Sequence, residues 1–207
     1  MYTLYGKKGS GSAAIEAALA IIGAPNRLVE TASWEQNKAF AELLKLNPLG
    51  QIPMLVLPDG GVLSESAAIL IHLGLVHPDS GLLPRDDAQA IRGLVFIAAN
   101  CYAAISVIDY PERWCEDADE ATQKRIRAGT RARLHQYWEM FADLFPARPY
   151  LGGNGIGALD LHAAVVSKWS GSRAHLQQAR PAFYETLLRI EAHPKVAPVF
   201  AKHWPAT

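Results

Sequence analysis

The sequence predicts an α/β part with the element order βαβαββα, followed by a part that is entirely α-helical. Two short strand-like runs, each followed by apolar residues at helical spacing, open the chain. An Asp-Gly pair between two further apolar runs then predicts a hairpin. Beyond a segment rich in Pro and Gly, the apolar spacing is helical. With 207 residues, the chain is long enough for two small domains.

The first four elements follow from local patterns. Residues 2–5 are aromatic and β-branched and stop at Gly6, which predicts the first strand. The first helix is predicted from apolar residues at helical spacing, and Gly23 ends it. Its apolar set is Ile15, Ala18, Leu19 and Ile22. A second strand is predicted over residues 27–30, and a less regular helix over residues 34–46.

The stretch over residues 47–66 predicts a turn, a hairpin and the start of a helix. Residues 54–57 form a short apolar run, and the Asp59-Gly60 pair after it predicts that residues 62–63 pair back as a second strand. A third helix is predicted from about residue 65 to residue 77. With this hairpin, the element order is that of a thioredoxin-like domain over residues 1–77.

The second part is predicted to be all-helical over residues 87–207, after a linker over residues 78–86. Apolar residues recur at three- and four-residue intervals along most of it. The predicted helices cover about residues 88–110, 119–145, 158–170, 181–192 and 194–203.

Composition excludes several classes of protein. The 20 basic and 20 acidic residues cancel, and the pI is near 7.1, which argues against a nucleic acid or an anionic membrane as partner. No apolar run reaches the about 20 residues that cross a bilayer, and the amino terminus lacks a secretory signal. Cys101 and Cys115 are isolated, and the histidines show no metal spacing. We therefore expect a cytoplasmic protein without a metal.

Two motifs resemble the glutathione-binding half of the glutathione S-transferase superfamily. They are NPLGQIPML over residues 47–55 and LSESAAIL over residues 63–70. The resemblance covers nearly the whole chain. It implies a homodimer in which glutathione is the co-substrate and its thiol attacks a small hydrophobic electrophile.

The resemblance also implies the residues that hold glutathione. The peptide bond before Pro53 would be cis, although a strand-edge proline is an ordinary alternative. The Ile52 main chain would contact the cysteinyl part and Gln51 the glycyl end. Glu65 would pair with the γ-glutamyl ammonium, and the Ser66 hydroxyl and N–H would hold the α-carboxylate. The alternative for the last two residues is a helix-capping pair.

Two serines between the first strand and the first helix are candidates for thiol activation. The resemblance implies that the serine after the strand's turn donates a hydrogen bond to the glutathione sulfur, which indicates Ser10, with Ser12 as the second candidate. An ordinary helix cap is the alternative. Gly6 and Gly11 stand where the tyrosine-type and the bacterial cysteine-type enzymes carry their reactive side chains. The resemblance is therefore to a serine-type enzyme.

The second part supplies weaker candidates. Asn100, Tyr102, Trp114 and Trp169 could line a hydrophobic cleft between the two parts, with plain core packing as the alternative. Asp160 resembles the family's capping-box residue, which implies a structural role. Two other functions stay open. One is glutathione-dependent isomerisation or disulfide reduction on the same fold, and the other is a non-catalytic interaction protein.

Overall fold

The computed structural model describes residues 1–84 and 88–205. The predicted βαβαββα order is confirmed in its first part. Its elements are β1 (Tyr2–Gly6), α1 (Ser12–Ile22), β2 (Asn26–Glu30), α2 (Lys38–Leu46), β3 (Met54–Val56), β4 (Val62–Leu63) and α3 (Ser66–Val76). A 3-10 turn, Pro78–Ser80, follows. Residues 85–87, where the predicted linker meets the predicted helical domain, lie outside the described residues.

The four strands form one mixed sheet in the order β2-β1-β3-β4. β1 runs parallel to β2 and antiparallel to β3, and β3 and β4 form the predicted hairpin. Leu4 of β1 lies opposite Leu28 and Leu55 in the register. Leu4 and Leu55 belong to the same core as α1 and α3, whereas Leu43 of α2 and Met54 form a separate buried cluster. The sheet is thus covered by helices on both faces.

The regular elements of the second part are all helical, which confirms the predicted fold class. They are α4 (Ala88–Phe96), a π-helical stretch (Ile97–Tyr102), α5 (Ala103–Asp109), a 3-10 turn (Pro111–Arg113), α6 (Glu120–Leu144), α7 (Ala158–Val166), α8 (Ser172–Ala179), α9 (Pro181–Glu191) and α10 (Ala197–His203).

One continuous helix, Ala88–Asp109, is long and apolar enough to cross a membrane by length and composition. It has 22 residues and a mean hydropathy of 1.8, so the expectation that no apolar run reaches this length was wrong. Its buried side chains join the same hydrophobic core as those of α6 and α7. Buried residues make up 39% of its apolar window, so the helix packs one side against this core.

Helix α7 is the element that joins the two parts. Every one of its residues is buried, and it packs on α1 and α3 of the α/β part as well as on α4 and α9. Its apolar sequence explains this position, because a helix that is hydrophobic all round belongs in a core. A polar side chain on α7 is therefore held between the two parts.

Three predicted helices were wrong in extent, and the one predicted from about residue 194 begins at Ala197. α2 begins at Lys38 rather than at residue 34, because the Asn37 side chain accepts a hydrogen bond from the Phe40 N–H (2.9 Å) and caps the helix there. The helix predicted over residues 158–170 ends at Val166, and α8 follows Gly171, whose φ of 77° interrupts the helical path.

Candidate active site

Helix α3 begins with N–H groups that have no acceptor. The N–H groups of Ser66, Ala67 and Ala68 donate to nothing in the described part of the chain, and the Glu65 side chain does not cap the helix. Glu65 has a φ of 65°, a conformation that costs a non-glycine residue on the order of 1–3 kcal/mol. Its exposed carboxylate makes no ion pair with a described residue. Unpaired N–H donors and an unpaired carboxylate thus lie next to each other at the strained residue Glu65. Together they complement a ligand that carries both a carboxylate and an ammonium.

The Ser66 hydroxyl meets a histidine of the helical part. Ser66 Oγ lies 3.1 Å from His162 Nε2, and both residues are buried. The other ring nitrogen, Nδ1, is buried without a partner among the described residues. Burial lowers the pKa of His162 to about 3, so the ring is neutral at physiological pH. Sequence reasoning missed His162; the available signal was a single histidine inside the apolar run of α7.

The start of α1 is more completely hydrogen-bonded. Ser10 Oγ accepts the N–H groups of Lys7 (3.3 Å) and Ser12 (3.2 Å) and lies 3.0 Å from Ser12 Oγ. The Ser12 hydroxyl donates to the Lys7 carbonyl (3.3 Å) and is fully buried, whereas Ser10 is partly exposed. The Gly11 N–H donates to no acceptor in the described residues. Of the two predicted serines, Ser10 is therefore the one that a ligand can reach.

The hydroxyl of Tyr102 lies directly over Gly11. A Cβ atom built on Gly11 would stand 2.5 Å from Tyr102 Oη and 3.4 Å from Pro53 Cδ. Burial, and then the carboxylates of Glu65 and Asp109, raise the pKa of Tyr102 to about 12. The phenol is therefore protonated at neutral pH, and within residues 1–84 and 88–205 it has no hydrogen-bond partner.

The segment predicted to contact the ligand through its main chain lies close to the start of α1, because Pro53 Cδ is 3.4 Å from a Cβ built on Gly11. The Ile52–Pro53 peptide bond is cis, as the resemblance to the family implied. Pro53 is buried and Ile52 is half-buried. Gln51 has an exposed side chain, and its carbonyl accepts a hydrogen bond from Asn47 Nδ2 (3.1 Å). The Gln51 side chain is therefore open to a ligand.

The structure brings together two of the four predicted cleft residues. The Tyr102 ring lies 5.6 Å from the Trp169 ring and 6.4 Å from the His162 ring, measured between centroids. The Asn100 amide donates to the Phe96 carbonyl (3.0 Å) inside its own helix. Trp114 is 61% exposed and follows the 3-10 turn after α5. Tyr102 and Trp169 thus form an aromatic pair on the helical side of the site.

A histidine of α10 holds the loop that carries Ser10. The Gly9 N–H donates to His203 Nδ1 (3.0 Å), so the proton of this ring is on Nε2, which donates to Glu16 Oε1 (2.7 Å). The His203 side chain is fully buried. The helical part therefore fixes the position of the loop before α1.

Asp160 has the geometry of its predicted structural role. Its carboxylate accepts the N–H groups of Leu151 (2.8 Å), Gly152 (3.3 Å) and Gly157 (2.9 Å), and the last contact caps α7. Burial raises the pKa of Asp160 to about 6, against the opposite effect of these hydrogen bonds. Among the described residues, no group of three or more His, Cys, Asp or Glu side chains could hold a metal ion.

Comparisons with known proteins agree with this architecture. A family model described as the N-terminal domain of glutathione S-transferases matches residues 1–74. The chain is 33% identical over 174 residues to the "Uncharacterized GST-like protein YncG" of Escherichia coli (strain K12), covering 82% of each chain. It is 41% identical over 63 residues to a "Probable maleylacetoacetate isomerase" of Caenorhabditis elegans, covering 28% of this chain and 29% of the relative.

A solved structure has the same fold over its whole length. The crystal structure of a glutathione transferase homolog from Sulfitobacter, with bound glutathione, covers 98% of both chains with a TM-score of 0.84 and 23% sequence identity. Both chains belong to a class of proteins in which a thioredoxin-like part is followed by a helical part. The protein belongs to the glutathione S-transferase superfamily.

Proposed function

We propose that the protein is a glutathione transferase that activates the thiol of glutathione for attack on a small hydrophobic electrophile. The observation that carries this proposal is the start of α3, where three unpaired N–H groups adjoin the free carboxylate of Glu65. These groups complement an α-amino acid end, which bears one carboxylate and one ammonium. The starts of α2 and α6 are capped by the side chains of Asn37 and Asp119, whereas no side chain caps α3.

The recognition end comprises α3 and the segment before β3. Glu65 pairs with the ammonium of the γ-glutamyl group, while Ser66 and the first-turn N–H groups hold its carboxylate. The Ile52 main chain contacts the cysteinyl part, and the exposed Gln51 side chain contacts the glycyl end. This assignment leaves the thiol near the start of α1, where Gly11 lies close to Pro53.

The reaction end comprises the start of α1. When bound, glutathione supplies a thiol that adds to the electrophile as a thiolate. A thiol pKa of about 8.5 must fall by roughly two units, worth about 2.7 kcal/mol, for the thiolate to predominate at neutral pH. A hydrogen bond from Ser10 to this charged acceptor is worth about 1.5–3 kcal/mol, and the helix start about 0.3–1 kcal/mol more. Ser10 with the Gly11 N–H is therefore sufficient.

The helical part supplies the hydrophobic side of the site. Tyr102 and Trp169 present an aromatic surface next to Gly11, which suits an apolar electrophile. The protonated Tyr102 hydroxyl is a second donor that can reach the sulfur or the electrophile. Asn100 and Trp114 stay weaker candidates, since one is hydrogen-bonded in its helix and the other is largely exposed.

A glutathione-dependent isomerase is the second candidate function. One observation favours it, namely the identity of 41% over 63 residues to the probable maleylacetoacetate isomerase. That similarity covers 28% of this chain, so it concerns the glutathione end and not the electrophile pocket. Disulfide reduction is less favoured, because Gly11 offers no thiol, and a pure interaction module would not need the unpaired groups at α3.

Calorimetric titration of the purified protein with glutathione tests the proposal. We expect saturable binding, retention on immobilised glutathione, and thiolate absorbance of the bound ligand at neutral pH. A panel of aryl halides, epoxides and a cis-dienone then separates transferase from isomerase activity. A protein that does not bind glutathione would be an interaction module instead.

We also propose a homodimer. The structure leaves Leu75 and Val76 of α3 and Val95 of α4 between 48% and 60% exposed, which is apolar surface that a second copy could cover. Sedimentation at micromolar concentration should give twice the chain mass of 22.5 kDa. A single species with the mass of one chain would exclude the dimer.

A further inference from the structure

The contact between Ser66 and His162 joins the recognition end of the site to the helical part. The two residues are 96 positions apart, and their side chains meet at 3.1 Å in a buried environment. We infer that His162 is a positioning residue, whose Nε2–H donates to Ser66 Oγ and thereby directs the Ser66 hydroxyl proton to the carboxylate of a bound γ-glutamyl group. The inference rests on the proposed function and adds a residue from the second part to glutathione recognition.

The position of the proton on His162 follows from the unpaired nitrogen. Nδ1 is buried and has no partner within the described residues. A proton on Nδ1 would leave a buried N–H donor unsatisfied, at a cost of about 1–3 kcal/mol. A proton on Nε2 is satisfied by Ser66 Oγ and leaves an unpaired acceptor on Nδ1, and unpaired buried acceptors occur more often in proteins than unpaired buried N–H groups. Since His162 is only 1% exposed, the doubly protonated, charged ring is also disfavoured.

The tautomer decides whether Ser66 attracts or repels an anion. A serine hydroxyl has one proton and two lone pairs. If His162 accepted that proton, Ser66 would present only lone pairs to the carboxylate, which is unfavourable. If His162 donates, the Ser66 proton is free, and it adds to the three unpaired N–H groups of the same helix start. All four donors then converge on one acceptor.

A purely structural role for His162 makes a different prediction. A side chain that only fills space would affect every ligand equally, and its loss would appear in stability. A positioning role affects only ligands that carry the α-carboxylate. The two roles are therefore separated by comparing glutathione with 4-aminobutanoyl-cysteinylglycine, which is glutathione without that carboxylate.

The experiment measures the dissociation constants of both ligands by calorimetry for the wild-type chain, His162→Met, His162→Gln and Ser66→Ala. Methionine fills similar space without a donor, whereas the glutamine amide can replace Nε2–H. We expect His162→Met to weaken glutathione binding roughly 10-fold, as for loss of one hydrogen bond to a charged group, with less than a twofold change for the analogue. His162→Gln should retain most of the affinity, and His162→Met should have no further effect in the Ser66→Ala background.

Equal losses for the two ligands, or no loss in His162→Met, would overturn the inference while leaving glutathione binding intact. Absence of glutathione binding by the wild-type chain would instead refute the proposed function, and this inference with it. A measurement on the wild-type protein tests the inference even if a variant does not fold. Nitrogen-15 spectra of labelled histidine should report a protonated Nε2 and a bare Nδ1 for His162, and the opposite tautomer would overturn the inference.

Discussion

The two helix starts that meet in the proposed site differ in how much of their hydrogen-bonding capacity is used. At α3, three N–H groups and the Glu65 carboxylate have no partner in the described part of the chain. At α1, Ser10 already accepts two N–H groups, and the Gly11 N–H alone is open. The arrangement at α3 suits the charged γ-glutamyl end of glutathione. The arrangement at α1 suits a single acceptor atom, the sulfur. Binding and activation should therefore be separable by mutation.

The largest effect is expected at the recognition end. Glu65→Ala removes the partner of a desolvated ammonium, which costs about 2–5 kcal/mol and raises the dissociation constant of glutathione roughly 30- to 5000-fold. The pKa of any thiol that still binds should not change. Calorimetry checks the affinity, with Glu42→Ala on the exposed side of α2 as the matched control. Wild-type affinity in Glu65→Ala would remove this residue from the site.

A smaller effect is expected at the reaction end, and it concerns the pKa of the bound thiol rather than the affinity for glutathione. Ser10→Ala should leave the affinity nearly intact but raise the pKa of the bound thiol, since the hydroxyl stabilises the thiolate more than the thiol. Loss of about 1.5–3 kcal/mol corresponds to a rate roughly 10- to 150-fold lower at neutral pH. The measurement is thiolate absorbance of the bound ligand against pH, together with the initial rate.

Ser12→Ala and Tyr102→Phe are the controls for Ser10. Ser12 is fully buried, so its replacement should lower stability by about 1 kcal/mol and spare the titration. A shift in the titration of Tyr102→Phe alone would transfer the role of donor to the helical part. A shift in none of the three variants would leave the Gly11 N–H and the helix start as the activators.

The recognition end should also carry an acid sensitivity, which comes from His162. The pKa of His162 is lowered to about 3 in the folded protein, from an ordinary value of 6.5. As the pH falls below 6.5, the unfolded chain takes up a proton that the folded chain does not, so stability is lost between pH 6.5 and 3. From pH 7.5 to 5.0, this loss amounts to about 2 kcal/mol.

Urea unfolding of the wild-type chain and of His162→Met at these two pH values measures that loss. Asp160 acts in the opposite direction, because its raised pKa of about 6 favours the folded state as the pH falls towards the ordinary value of 3.8. Its contribution is common to both chains and cancels in their difference. Identical pH dependence of the two chains would mean that His162 is charged in the folded protein.

The smallest effect concerns the close contact at the reaction end. Gly11 has a φ of −59°, so its backbone does not require glycine, yet an added Cβ would meet Tyr102 Oη at 2.5 Å. Gly11→Ala should therefore destabilise by about 1 kcal/mol, at the low end for overpacking, because the end of a tyrosine can shift slightly. Adding Tyr102→Phe should remove that cost, as urea midpoints will show.

Gly129→Ala is the matched control for Gly11→Ala. A Cβ on Gly129 of α6 meets nothing within 4 Å, so this change should stabilise by about 0.4–1 kcal/mol. If Gly11→Ala also raised the stability, the Tyr102 hydroxyl would not occupy the space over Gly11. The start of α1 would then be as open to a ligand as the start of α3.

The fold was predictable where the signal is local. The hairpin at Asp59-Gly60 and the start of α3 depend on turn and capping residues within a few positions, and both lie where they were predicted. The extent of α2 was not predictable from its apolar residues, because the Asn37 side chain sets its start. α8 was missed because its polar sequence buries only Ser172 and Leu176 and shows no regular apolar face.

The candidate site was predicted from motifs only on the side of the α/β part; on the helical side Tyr102 was a weaker candidate and His162 was missed. Glu65, Ser66 and Pro53 belong to two short motifs that lie close together in the sequence. His162 and Tyr102 reach the same site through the packing of α7 and of the π-helical stretch on the first part. Such contacts depend on how two hydrophobic surfaces fit, which no spacing of residues in the sequence encodes.

The hydrogen bond between Gly9 and His203 has a consequence for how the chain folds during its synthesis on the ribosome. The two residues are 194 positions apart, so the loop before α1 is synthesised long before the ring that accepts its N–H. The sheet and α1 can form early, because their contacts lie within the first part. The loop that carries Ser10 reaches its final hydrogen bonding only when α10 has been made and has docked.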